Sequence, residues 1–223
     1  MTKLSIVATP IGNLEDITLR AVRTLKECDV VLCEDTRVTG KLLQKFEIKK
    51  PLLSYNAHST DAKNDKVFKL LEEGKHVALV SDAGTPAISD PGSYLVGNVR
   101  AHFGDQVTIE AIPGASAVVT ALSGAGIPVS DFLFLGFLPH KKGRETLFKE
   151  IASSKRTVVF YESPHRIMKA LESLKTVAPT RQIIIARELT KMYEEFLLGT
   201  PEELMRKKQD WKGEIVVIVA PES

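Results

Sequence analysis

The chain has 223 residues, 43% of them hydrophobic, with 30 Lys and Arg against 28 Asp and Glu and a pI near 8.4. That length accommodates one large domain or two small ones, two being the expectation here, and the near-balance of charge excludes a strongly basic nucleic-acid scaffold, so any RNA contact has to be local. No run approaches the ~18 consecutive apolar residues of a membrane span, and Met1-Thr-Lys3 leads at once into a short apolar strand, so the expectation is a soluble cytoplasmic protein with no membrane partner.

Short apolar runs at Leu4–Ala8, Val30–Cys33, Leu52–Tyr55, Val77–Val80 and Val107–Ile112 alternate with amphipathic segments, the pattern of a βαβ series on a parallel sheet. Asp16 is placed to cap a helix through Leu19, Val22 and Leu25. Thr60 or Asp61 is placed to cap another through Val67, Leu70 and Leu71, which Gly74 ends. Cys28 and Cys33 flank the second strand with no second pair nearby, which suits buried thiols better than metal ligands, and no metal site is expected. Ser123-Gly-Ala-Gly-Ile-Pro128 breaks the pattern, so a first domain is assigned to residues 1–120 and a second to 121–223. The second series reads as strands at Phe132–Phe137, Thr157–Tyr161, Gln182–Arg187, Glu195–Gly199 and Glu214–Val219, with helices at about Arg144–Ser153 and His165–Val177. Strands packed so closely after residue 182 imply an antiparallel element and hence a mixed sheet. Thr200-Pro-Glu-Glu203 is a capping box opening a short helix. The fold class is therefore two α/β domains, the first with a parallel sheet and the second with a mixed one.

Polar residues concentrate where the strands end. The stretch Leu79-Val-Ser-Asp-Ala-Gly-Thr-Pro-Ala-Ile-Ser-Asp-Pro-Gly92 runs from an apolar strand into small, hydroxyl and acidic residues, and Ala8–Asn13, Cys33–Arg37 and Ile112–Ala117 repeat the arrangement. In an open parallel sheet such ends share one edge, where α/β proteins bind ligands. No Gly-x-Gly-x-x-Gly follows the first strand and no Walker motif occurs, which argues against a nicotinamide dehydrogenase or an ATPase. A nucleoside ligand without phosphates stays compatible, because it needs backbone partners and a snug apolar surface in place of an anion cradle. Glu34 and Asp35 are candidate general bases beside Arg37; equally, Asp35 or Thr36 caps the next helix with Arg37 as ion partner. His58 is a third candidate proton acceptor or an RNA contact. In the second half, Arg166 is a candidate phosphate ligand, as is the basic loop Pro139-His-Lys-Lys-Gly-Arg144 with Lys141, Lys142 and Arg144; an ordinary solvated loop is the alternative.

Six segments in one order, Ala8–Asp16, Glu34–Arg37, Val80–Gly92, Ile112–Ser116, Phe160–Arg166 and Ala186–Lys191, resemble the tetrapyrrole methylase family, and within it the group that methylates ribosomal RNA. The resemblance spans nearly the whole chain. It implies S-adenosylmethionine as methyl donor in a cleft between the domains, S-adenosylhomocysteine as product, and a homodimer. It also implies methylation of a cytidine ribose 2′-hydroxyl in the decoding region of 16S rRNA in the small ribosomal subunit. By similarity the donor lies against Pro10, Ala83, Gly84, Thr85, Ile88, Ser116 and Ala117, with Tyr161, Glu162 and Leu189 closing over it. RNA would meet Asn13, Arg37, Lys141, Lys142, Arg144 and Arg166. Glu34 matches the position where C-methylating members carry an acidic residue linked to proton transfer. Longer members continue past the last strand with a helical extension, whereas this sequence stops at Pro221-Glu-Ser223, so RNA affinity is expected from the cleft rim and loops. Two other readings stand beside this one. One is a tetrapyrrole C-methyltransferase of the same fold, against which Pro10-Ile-Gly-Asn13 and Glu34-Asp-Thr-Arg37 count; the other is a non-catalytic ribosome-assembly factor, against which the crowded titratable strand ends count.

Overall fold

In the computed structural model, which describes residues 2–56, 61–90 and 92–222, the chain divides into the units Met1–Ser116 and Ala117–Ser223. The division precedes the 120/121 boundary read from the sequence because the helix Ala117–Gly124 packs on the last strand of the second unit.

The first unit holds β1 (Lys3–Val7), β2 (Val30–Cys33), β3 (Leu52–Ser54), β4 (His76–Leu79) and β5 (Thr108–Ile112) in the order β3-β2-β4-β1-β5, every neighbouring pair parallel. Helices α1 (Leu19–Glu27), α2 (Thr36–Lys45), α3 (Asp61–Glu72) and α4 (Gly92–Phe103) cover both faces. Val7, Val31, Ala78 and Val80 on one face pack against Ala21 and Leu25 of α1 and Leu43 of α2. Leu4, Ile6, Leu32 and Leu79 on the other pack against Val67 and Leu71 of α3 and Leu95 and Val99 of α4. Coverage of both faces is why these strands read as unbroken apolar runs. Cys28 and Cys33 are buried in the first of these clusters, and burial pushes the Cys28 thiol up to about 11.

Two cap assignments meet the structure differently. Thr18, not Asp16, caps α1, its hydroxyl accepting the Ala21 N–H at 3.0 Å, because Asp16 is taken into a 3-10 turn (Leu14–Asp16) that Asn13 opens. Gly74 ends α3 as expected: at φ +78° it lets its own N–H reach Leu71 O and the Lys75 N–H reach Leu70 O, both at 3.0 Å. Thr60, the alternative cap for α3, lies outside the described residues.

The second unit holds α5 (Ala117–Gly124), β6 (Phe132–Phe137), α6 (Arg144–Ser153), β7 (Thr157–Glu162), α7 (Ile167–Val177), β8 (Ile183–Arg187), β9 (Glu195–Gly199), α8 (Pro201–Lys207) and β10 (Ile215–Val219). Its sheet runs β6-β7-β10-β8-β9, parallel only between β6 and β7, so it is mixed. Val158 and Phe160 of β7, Ile183 and Ile185 of β8 and Val217 of β10 form the core with Ile167, Leu171 and Leu174 of α7 and Leu204 of α8. Thr200 forms the expected capping box, its hydroxyl accepting the Glu203 N–H at 3.3 Å while Glu203 accepts the Thr200 N–H at 2.8 Å. Among the described residues no helix is long and apolar enough to cross a membrane.

Candidate active site

The loops after β1, β4 and β5 are tied into one platform by their own backbone. The Thr9 N–H donates to Gly84 O at 2.9 Å and the Gly84 N–H returns to Thr9 O at 3.1 Å, an antiparallel bridge beyond the end of a parallel sheet. The Ala8 N–H donates to Ile112 O at 3.2 Å, which brings in the β5 end. Hydroxyls finish the fastening: buried Thr9 donates to Ser81 O at 3.1 Å, buried Ser81 to Gly84 O at 3.3 Å, and half-buried Thr85 to Ala115 O at 3.1 Å. The approach is close enough to demand small residues. Gly84 stands at φ +83°, and a β-carbon there would meet Ile11 Cγ2 at 3.3 Å; one on Gly114 would fall 2.8 Å from the Ala8 β-carbon.

Past the bridge the loop is strained. Ala87 (φ 68°) and Ser89 (φ 61°) occupy the left-handed region, which a β-carbon disfavours, and Ile88 between them is 53% exposed. Strain of this kind clusters at ligand clamps, where the surrounding structure over-determines the backbone. Of the residues expected to meet the donor, Pro10 and Gly84 are buried, Thr85, Ser116 and Ala117 half-buried, and Ala83 and Ile88 exposed. None carries charge, and Thr85 has given its hydroxyl to Ala115, so what remains to offer is backbone, apolar surface and the Ser116 hydroxyl. That donor set fits the nucleoside part of a ligand and offers no cationic side chain to a triphosphate.

Because β2 and β4 are neighbours, their ends bring Glu34 and Asp35 beside Asp82, whose Oδ1 accepts the Asp35 N–H at 3.0 Å. Asp35 caps α2: Oδ1 accepts the Arg37 N–H at 2.8 Å, and Oδ2 pairs with the Arg37 guanidinium at 2.6 Å. The Arg37 side chain and N–H together hold the Asp35 carboxyl down at about 2. A carboxylate that binds a proton so weakly is a poor base, so the capping alternative describes Asp35 and its partner Arg37. Glu34 is half-buried, and burial, followed by the charges of Asp82 and Asp90, pushes its carboxyl above the ordinary value. Of the two adjacent carboxylates it is the one suited to take a proton. Asp82 was not singled out by sequence; the adjacency of β2 and β4 that gives it a role is a matter of strand order. Asn13 is occupied as a cap, its side chain accepting the Glu15 N–H at 3.1 Å, and His58 lies outside the described residues.

In the second unit three of the residues expected to meet ligands also meet one another. Glu162, with its side chain fully buried at the end of β7, accepts Arg166 Nη2 on Oε1 at 2.7 Å and Arg144 Nη2 on Oε2 at 3.0 Å. Arg166 Nη1 donates also to Leu138 O at 3.1 Å, and Arg144 Nη1 to Pro139 O at 3.2 Å. The three side chains thus hold one another at the end of β7, with Arg144 and Arg166 14% and 17% exposed. Lys141 and Lys142 are exposed. Tyr161 is half-buried, its ring centroid 5.0 Å from Phe134 and 5.1 Å from Phe137, and burial raises its phenol. Leu189 is buried between Glu188 (φ 50°) and Thr190 (φ 66°), a second strained segment.

The sequence model of the tetrapyrrole (corrin/porphyrin) methylases matches residues 3–205. The chain belongs to the tetrapyrrole methylase family. The methylase is 45% identical to the ribosomal RNA small subunit methyltransferase I of Thermotoga maritima over 222 residues, 99% of each chain. It is 48% identical to the enzyme of that name from Halalkalibacterium halodurans over 219 residues, 97% of this chain and 75% of that one. Among solved structures it is similar to the methyltransferase CobJ, with a TM-score of 0.73 at 20% identity over 99% of this chain and 95% of that one. Uroporphyrin-III C-methyltransferase from Thermus thermophilus, complexed with S-adenosylhomocysteine, gives 0.70 at 17% identity over 98% of this chain and 97% of that one. At such identities these structures show the fold that the methylase shares and nothing of its substrate.

Proposed function

We propose that this methylase transfers the methyl group of S-adenosylmethionine to the ribose 2′-hydroxyl of a cytidine in the decoding region of 16S rRNA, acting in the cytoplasm as a homodimer on the small ribosomal subunit. The observation that carries the reading is the 45% identity over 99% of both chains with a relative named for methylation of small-subunit ribosomal RNA. The cytidine and its 2′-oxygen come from the motif resemblance.

The donor supplies a methyl group on a positively charged sulfur, an electrophilic carbon that needs the acceptor oxygen in line. The chain's part is to orient and to remove a proton. The uncharged platform of Pro10, Ala83, Gly84, Thr85, Ile88 and Ser116 is the proposed seat of the nucleoside. Being fastened by backbone bonds before any ligand arrives, the platform loses little freedom on binding. Glu34 is the proposed acceptor of the 2′-hydroxyl proton, and Asp82 raises its basicity.

The test is transfer of labelled methyl from S-adenosylmethionine to small ribosomal subunits lacking their native ribose methylation, with mapping of the product. Label on one decoding-site cytidine as a 2′-O-methyl group is the expected result; no label despite intact donor binding overturns the reading.

A further inference from the structure

Between β6 and α6 the chain makes a short basic turn whose two stems are fastened from below. The carbonyls of Leu138 and Pro139 on the way in accept from Arg166 and Arg144, and both guanidiniums are anchored on the same buried carboxylate, Glu162. The Arg144 N–H closes the turn on Lys141 O at 3.2 Å, and Gly143, at φ +83°, lets the chain enter α6, where the Leu147 N–H takes Gly143 O at 3.0 Å. Above this frame His140, Lys141 and Lys142 are exposed. The two arginine side chains are only 14% and 17% exposed, so the lysines are the charges that a large partner meets first.

Arg144, Arg166, Lys141 and Lys142 stand against Glu162 and Glu145, a local excess equal to the formal charge of +2 carried by the whole chain. A buried ion cluster is a poor device for stability alone, since well-packed apolar residues of the same volume are often as good or better. What this cluster supplies is geometry, because planar guanidiniums bridge a carboxylate and a carbonyl in fixed directions. We infer that Arg144, Glu162 and Arg166 are positioning residues that hold Lys141 and Lys142 as a preformed knuckle for the phosphodiester backbone of RNA. This rests on the ribosomal RNA reading above. Lysines on a fixed turn lose less freedom on meeting phosphates than lysines on a loose one, so the contribution of the pair depends on the cluster beneath.

The experiment is equilibrium binding of a decoding-region RNA fragment to the full chain across a range of salt, with donor binding as the check on folding. Lys141→Ala with Lys142→Ala is expected to flatten the plot of log affinity against log salt by about 1.4 to 1.8 in slope. Arg166→Lys keeps the charge but cannot reach Glu162 and Leu138 O together; it is expected to weaken RNA binding, and adding the two alanines to it should cost much less than adding them to the wild type. Glu162→Gln is the second disabling variant and should behave alike. An unchanged slope in the double alanine variant overturns the inference. So do fully additive effects, which would leave a solvated loop above a merely structural cluster, and so does weakened binding to intact subunits with unchanged RNA affinity, which would assign the knuckle to an acidic ribosomal protein. RNA binding with these slopes but no methyl transfer would sink the proposed function and leave the knuckle standing.

Discussion

Asp82 and Asp35 are joined across adjacent strand ends, the Asp82 carboxylate accepting the Asp35 N–H at 3.0 Å although 47 residues separate them. That bond holds a negative charge beside Glu34, whose carboxyl is raised first by burial and then by Asp82. The acid limb of methyl transfer against pH should therefore lie above the ordinary glutamate value, and Asp82→Asn should move it downward. Glu34→Gln should lower kcat by about 100-fold or more, the usual scale for losing a general base, while donor affinity changes little. Wild-type turnover in Glu34→Gln would remove this carboxylate from the chemistry.

The same environment makes ionised Glu34 unfavourable for folding. A carboxyl whose folded pKa is raised binds its proton more tightly in the folded state, so its contribution to stability is present below the unfolded value of about 4.3 and is lost as pH rises through the folded one. Glu34→Gln should therefore unfold at a higher temperature than the wild type near neutral pH, with the difference shrinking toward pH 4. Calorimetry at several pH values reads this directly, and a destabilised Gln variant at neutral pH would contradict it.

Asp35 carries the opposite sign. Its carboxyl is held at about 2 by Arg37, so the stability it contributes is present above the unfolded value of roughly 3.9 and disappears as pH falls toward 2. Asparagine caps a helix about as well as aspartate, which makes Asp35→Asn a clean removal of charge. The variant should retain turnover within a few-fold and show a shallower loss of stability between pH 5 and pH 2. A collapse of turnover comparable to that of Glu34→Gln would return Asp35 to the chemistry.

How far the sequence could be read follows from which properties are local. The alternation of apolar runs with capped helices, the capping box at Thr200 and the terminator at Gly74 depend on neighbours in the chain, and all are present in the fold. Asp82 needed the knowledge that β4 lies between β2 and β1, which follows from packing of the whole sheet. The pairing of Arg144 and Arg166 with Glu162 was hidden for a related reason. An arginine on a loop or before a helix reads only as a candidate phosphate ligand until a buried carboxylate at a strand end, Glu162, is placed under it as a partner. Asp16 lost its cap to Thr18 because a 3-10 turn took it in, a choice between two good acceptors that composition does not decide.

The spacing of the β1 and β5 ends makes the last prediction. A β-carbon on Gly114 would stand 2.8 Å from the β-carbon of Ala8, closer than such atoms approach, and neither can rotate away because both are fixed to backbone. Gly114→Ala must therefore push the two strand ends apart and disturb the bond from the Ala8 N–H to Ile112 O, with the Thr9–Gly84 bridge one residue further on. Overpacking of this kind costs about 1 to 3 kcal/mol of stability. Since the platform is the proposed seat of the donor, affinity for S-adenosylmethionine, measured by titration calorimetry, should fall by about tenfold or more. The companion change Ala8→Gly removes the opposing methyl and should restore most of both losses in the double variant. If the double variant binds no better than Gly114→Ala alone, the clash is not the cause, and the closeness of these two strand ends does not set the shape of the donor site.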